Sequence, residues 1–118
     1  MVEVAESIAY DLHNEFIVLV KNNGLIPNFE EDAIVEVAGT IGKGGAQGYY
    51  FGEIGTFYKG LMENQYAYEK LTVEAFMEKN YTKALQALTL NRTVIDPQKA
   101  KAILDDFQAV SADYWTLR

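Results

Sequence analysis

Cysteine is absent from this chain. That excludes a disulfide framework, a thiolate metal ligand and a cysteine nucleophile. Histidine occurs once, as His13. A metal or triad centre needs several placed ligands or a nucleophile–base pair, so His13 reads as a surface or helix-end residue. Basic side chains are scarce: 10 Lys and Arg stand against 17 Asp and Glu, a net charge of −7. Phosphate backbones and anionic bilayers would be repelled, and neither nucleic acid nor membrane is expected as a partner. No apolar run approaches the roughly 20 residues of a membrane span. Glu3 and Glu6 follow Met1 closely, unlike the basic start of a signal peptide. A cytoplasmic setting is expected, and the lack of cysteine is compatible with it.

The 118 residues, 49% of them hydrophobic, suit one domain over 1–118 with a small core. The amphipathic opening suits a truncated piece of a longer protein. Val4, Ile8 and Leu12 recur every four residues and predict a helix from Val2 to about Asn14. Phe16-Ile17-Val18-Leu19-Val20 is a continuous apolar run of strand length, expected to be covered on both faces. Asn22-Asn23-Gly24 is a turn signal, because these residues tolerate positive φ. Ala33 to Ile41 alternates as a half-buried strand, with Ile34 and Glu36 on one side and Val35 and Val37 on the other. Gly42 to Gly48 reads as a flexible loop and Tyr49-Tyr50-Phe51 as a further short strand.

A long helix is expected over Thr56 to Lys79. Phe57, Leu61, Tyr68, Leu71 and Ala75 share one face, and Met62, Tyr66, Val73 and Met77 the opposite one. An apolar arc this wide predicts a core on one side and a partner surface, as in a homo-oligomer, on the other. Asn80 caps a short helix over Thr82 to Leu90. Asp96-Pro97 starts a last helix whose Ala100, Ile103, Leu104, Phe107, Val110, Tyr114 and Trp115 form one stripe. Helix, strands, then helices imply an α+β fold with a small antiparallel sheet.

Chemistry-bearing motifs are few. Gly42, Gly44 and Gly48 miss the G-x-G-x-x-G spacing, because Gln47 stands at the third glycine position. The stretch also leads into Tyr49, not into a helix N-terminus that could hold phosphate. Glu30-Glu31-Asp32 and Asp105-Asp106 are neighbours in sequence, whereas a glycosidase couple faces a cleft from separate elements. No catalytic, cofactor-binding or metal-ligating residue is assigned. Asn22 and Asn23 are the polar candidates for touching a substrate, since they follow a buried strand at a turn. Against that stands a local role, hydrogen bonding the turn's own backbone.

Three stretches, taken in order, carry a resemblance. They are Val20-Lys21-Asn22-Asn23-Gly24-Leu25-Ile26-Pro27-Asn28-Phe29 running into Ala33–Val37, Glu69–Ala75 continuing into Ala84–Val94, and Ala100–Asp106. Gly60-Leu61-Met62-Glu63-Asn64-Gln65 adds to them. Together they resemble the C-terminal part of the NAD- and manganese-dependent 6-phospho-glycosidases of glycoside hydrolase family 4. Leu88-Thr89-Leu90-Asn91-Arg92-Thr93-Val94 favours the 6-phospho-α-glucosidase branch.

The resemblance implies a C-terminal domain of the lactate/malate dehydrogenase kind. It implies a parent enzyme that cleaves a phosphorylated disaccharide by transient oxidation and elimination, with NAD and Mn²⁺ bound by parts upstream of this chain. The missing N-terminal NAD-binding domain would then be its partner, and the chain alone would be inactive. Two alternatives remain: the same portion of a lactate/malate-type dehydrogenase, which the 69–106 stretch disfavours, and a free-standing acidic oligomerisation or binding module.

Overall fold

Two left-handed residues decide where the first helix stops. A computed structural model describes Met1–Arg118 throughout, and in it α1 runs Val2–Tyr10. Asp11 at φ 56° and His13 at φ 54° turn the chain directly into β1 (Asn14–Lys21). The helix is therefore shorter than the apolar spacing implied. Its buried face is also rotated. Ser7 is the buried residue, while Ile8 and Leu12 are exposed. The Ser7 hydroxyl donates to the Ile41 carbonyl at 2.5 Å and accepts the Asn14 N–H at 3.1 Å. A hydroxyl, rather than an apolar stripe, ties this helix to the sheet.

The sheet is antiparallel, in the order β1-β2-β3, with β2 spanning Ile34–Gly42 and β3 Gly45–Gly48. Val18 pairs with Val37, Leu19 with Glu36, and Lys21 with Ile34. Val18, Val35 and Val37 point inward and are buried, joined by Ile26 and Ala33. Ile34 and Glu36 point outward, as the alternation predicted. Gly39 faces Gly48. A Cβ on Gly39 would lie 2.2 Å from the Gln47 carbonyl oxygen, so only glycine lets β3 approach.

Two expectations fail here. Tyr49-Tyr50-Phe51 is not a strand. Lys43-Gly44 turns the hairpin, Gly45 adopts φ 99°, and the glycine-rich stretch itself pairs with β2. The β1 run is covered on one face only, since Ile17 and Leu19 are exposed on the other.

The chain divides into two compact units, Met1–Lys59 and Gly60–Arg118. The boundary falls in the first turns of α2 (Thr56–Glu78). Leu61, Asn64, Tyr68, Leu71 and Ala75, at three- and four-residue steps, are half-buried or buried. Phe57, expected on this face, is exposed. Asn64 takes part by donating to the Leu90 carbonyl at 2.9 Å. On the opposite face Met62 and Tyr66 are half-buried, whereas Val73 and Met77 are exposed.

Asn80 caps α3 (Tyr81–Leu90) through the Lys83 N–H at 3.0 Å. Asp96 caps α4 (Pro97–Ser111) through the Gln98 N–H at 2.8 Å. Lys83 ties α3 back to α2, reaching Glu74 and Glu78 at 2.7 Å each. Its hydrogen bond holds the Glu74 carboxyl below the usual range and its own ammonium above it.

The stripe expected on α4 holds only in part. Ala100 and Leu104 are buried, but Phe107 is 62% exposed, and Val110 and Tyr114 are exposed too. The helix ends at Ser111, so Tyr114 and Trp115 are not on it. Residues 112–118 instead fold back as a strap. Trp115 stacks on Phe76 at 5.4 Å and 18°. The Leu117 N–H donates to Gln108 Oε1 at 3.1 Å. Arg118 N–H meets the Lys79 carbonyl at 2.6 Å, and the Arg118 carbonyl accepts from Tyr81 N–H at 3.0 Å.

Candidate functional site

Strand β1 delivers Asn22 to the mouth of a loop over residues 22–33, and there its amide disappears from solvent. Asn22 is 0% exposed. Its Nδ2 donates to the carbonyls of Ile26 at 3.0 Å, Phe29 at 3.1 Å and Glu30 at 3.0 Å. Its Oδ1 accepts the Ile26 N–H at 2.8 Å. Its backbone N–H donates to Ala33 and its carbonyl accepts from Leu25, both at 2.8 Å. One amide thus takes the buried Ile26 N–H and adds a second donor to the Ile26 and Glu30 carbonyls, which also accept the Phe29 and Ala33 N–H groups at 3.2 Å each; a buried group left unpaired costs about 1–3 kcal/mol. No face of Asn22 is left for a solute.

Asn23 differs. It is exposed at φ 43°, and its N–H is taken by the Glu31 carbonyl at 3.1 Å. It borders an open groove of about 490 Å³ with Lys21, Gln47 and Leu19. The structure therefore separates the two candidates, placing one inside the loop and the other at its surface.

The remaining sequence features serve local purposes. His13 Nε2 lies 3.2 Å from Asp11 Oδ1, and that oxygen also accepts the Lys43 N–H at 2.7 Å. This pairing holds the helix exit against the hairpin. Glu30, Glu31 and Asp32 are exposed along the loop. Asp105 accepts from Tyr81 Oη at 2.7 Å and pairs with Lys101. Lys101, then Tyr81, hold its carboxyl below the ordinary range. The glycine stretch forms a hairpin and points no helix N-terminus at a phosphate. No group of three or more His, Cys, Asp or Glu comes together, and no helix is long and apolar enough to cross a membrane.

Sequence reasoning missed Ser7, Asn28 and Asn64. Asn28 locks Ile54 from both sides, donating at 2.9 Å and accepting at 3.0 Å. All three are small polar residues that serve distant backbone groups. Only Asn64 carried a local signal, lying three residues after Leu61 and four before Tyr68 on the buried face. The second unit holds an apolar cavity of about 260 Å³ bounded by Tyr68, Phe76, Leu88, Leu104, Phe107 and Trp115.

These features define a class: an α+β domain whose buried polar side chains, Ser7 and Asn22, bind its own backbone. The profile of the family 4 glycosyl hydrolase C-terminal domain matches residues 1–94, and the chain belongs to that family. It is 46% identical over 115 residues to a phospho-α-glucosidase of Clostridium acetobutylicum, covering 98% of this chain and 26% of that one. It is 47% identical to a 6-phospho-α-glucosidase of Leptotrichia buccalis over the same shares.

A 6-phospho-α-glucosidase structure from gut microorganisms, in complex with NAD and Mn²⁺, superposes with a TM-score of 0.93 at 44% identity. The match covers 100% of this chain and 27% of that one. A probable 6-phospho-β-glucosidase of Bacillus subtilis is more distant, at 33% over 100 residues, 85% of this chain and 23% of that one. The chain spans about a quarter of the length of the relatives it matches. Its α+β fold is the dehydrogenase-like C-terminal domain of these glycosidases.

Proposed function

We propose that this chain, over 1–118, is the C-terminal part of a 6-phospho-α-glucosidase and supports an active site built elsewhere in the parent. One observation carries the reading. Identity to two α-type relatives is 46–47% over 98% of the chain, against 33% over 85% for a β-type relative. The parent would act on 6-phosphorylated α-glucosides in the cytoplasm as a homo-oligomer.

NAD would supply transient oxidation of the sugar and Mn²⁺ charge stabilisation. The residues present here do not fit either group. There is no cysteine, no cluster of metal-ligating side chains, and no glycine turn opening a helix. No step of the reaction is therefore assigned to this chain. Asn22 is read as the organiser of the 22–33 loop, and Asn23 as the asparagine open to a solute.

A chimera tests the proposal. This chain replaces the matched C-terminal quarter of the Clostridium acetobutylicum phospho-α-glucosidase, and turnover is followed on chromogenic α- and β-glucoside 6-phosphates with NAD and Mn²⁺. Turnover of the α substrate is expected. A folded chimera that is inactive on the α substrate, or prefers the β one, would sink the reading.

A further inference from the structure

The outward face of the β1–β2 sheet is built for contact. Antiparallel sheets with one solvated face alternate apolar and polar residues. Strand β1 does not: Phe16, Val18 and Val20 point inward, and Ile17 and Leu19 outward. In the structure Ile17 is 68%, Leu19 69% and Ile34 66% exposed. The register makes them neighbours. Ile17 lies opposite Ala38, Leu19 opposite Glu36, and Lys21 opposite Ile34. Cross-strand side chains stand about 5 Å apart, so these residues form one patch with Glu36 between Ile34 and Ala38. At one rim the Tyr49 hydroxyl donates to Glu15 at 3.0 Å. Strand β1 is moreover an edge of the sheet, and a bare apolar edge invites aggregation.

We propose that this face seats the rest of the parent polypeptide, through an apolar surface that brings a cation opposite Glu36. The inference rests on the reading of the chain as part of a longer glycosidase. About three-quarters of each relative's length lies outside the match, so the occupant is available in every parent molecule. The cation follows from Glu36, whose carboxylate would be costly to cover without a partner charge.

The test uses the chain and the chimera in parallel. Ile17→Thr/Leu19→Thr keeps strand propensity while removing apolar contact, and Leu19→Thr alone is the milder version. In the chain alone the melting temperature should hold, while binding of a hydrophobic dye falls several-fold. In the chimera the melting temperature should drop by about 2 °C or more, since a lost apolar contact moves the melt less in a longer chain. Glu36→Lys should likewise lower the chimera's melting temperature and leave the chain's unchanged.

A chimera indifferent to all three substitutions would leave the face bare and overturn the proposal. Loss of the chain's own melting transition would assign Ile17 and Leu19 to its internal packing, also overturning it. Concentration-dependent dimerisation of the chain, abolished by Ile17→Thr/Leu19→Thr with the chimera unaffected, would make a second copy the occupant instead. The two readings separate cleanly. A chimera showing the melting shifts without turnover of the α substrate keeps the interface and sinks the substrate reading; the converse sinks the interface alone.

Discussion

At the scale of the residue, Asn22 shows how a polar side chain after a buried strand can look like a binding group and be a scaffold. Its amide makes four side-chain hydrogen bonds, all to the backbone between Ile26 and Glu30. Removing it takes the acceptor from the buried Ile26 N–H and one donor from each of three carbonyls, two of which keep a backbone N–H. Asn22→Ala should destabilise the chain by about 1–3 kcal/mol, the usual cost of one buried group left unpaired. Asn22→Asp separates donor from acceptor. A carboxylate keeps the acceptor for Ile26 N–H but faces three carbonyls it cannot donate to. Burial and those carbonyls would raise the folded-state pKa of the introduced carboxyl above its unfolded value. Its contribution to stability is then fully present below the unfolded pKa and is lost as pH rises through the folded one. Urea unfolding of Asn22→Asp at pH 4 and pH 7 should give a larger deficit, relative to the parent, at pH 7. An equal deficit at both would mean that the amide's donors do not matter.

At the scale of the element, α4 offers the sharpest contrast between periodicity and packing. Residues 100, 104, 108 and 111 form the face that packs, and Leu104 is buried at its centre. Phe107 sits on the flank, bordering the apolar cavity. Leu104→Ala should cost about 2–5 kcal/mol, the usual range for a buried leucine. Phe107→Ala should cost clearly less, because most of that ring is already in water. Thermal melts of the two variants check the order, and a larger loss at Phe107 would place that ring in the core.

Much of this fold was legible in the sequence. Strand β2 and its two faces follow from alternation, and the caps Asn80 and Asp96 from residue type and position. The rest depended on long-range partners that spacing does not encode. Ser7 replaced an apolar stripe because its hydroxyl meets Ile41, 34 residues away. The α4 stripe failed because the helix ends at Ser111, and Trp115 returns in the strap to stack on Phe76 instead of extending the helical face. For the candidate site, the turn at Asn22-Asn23 was legible. Which asparagine faces solvent was not, since that is set by where the Phe29 and Glu30 carbonyls come to lie.

At the scale of the whole molecule, polar side chains in both units bind the chain's own backbone, Asn22 and Asn28 in the first and Asn64 in the second. Its exposed apolar groups include Ile17, Leu19 and Ile34 on the outer face of β1–β2, Ile8 and Leu12 around α1, Tyr50, Phe51 and Phe57 near the start of α2, and Val73, Met77, Phe107 and Val110 in the second unit. The chain alone is expected to bind neither NAD nor Mn²⁺. Pyrophosphate recognition in dinucleotide folds needs a glycine turn opening a helix, so that N–H groups and the helix dipole converge on the anion. Here the glycine-rich stretch becomes β3 and continues into Tyr49. Divalent manganese needs several oxygen or nitrogen ligands around one point, and the carboxylates of this chain are instead spread along loops or paired with lysines, as Glu74 is with Lys83 and Asp105 with Lys101. Titration calorimetry of the 118-residue chain with each ligand should show no heat of binding up to about millimolar concentration, the weak end of ordinary affinities. Saturable binding at micromolar levels would mean that this domain holds a cofactor site of its own, and the division of labour argued from its geometry would have to be abandoned.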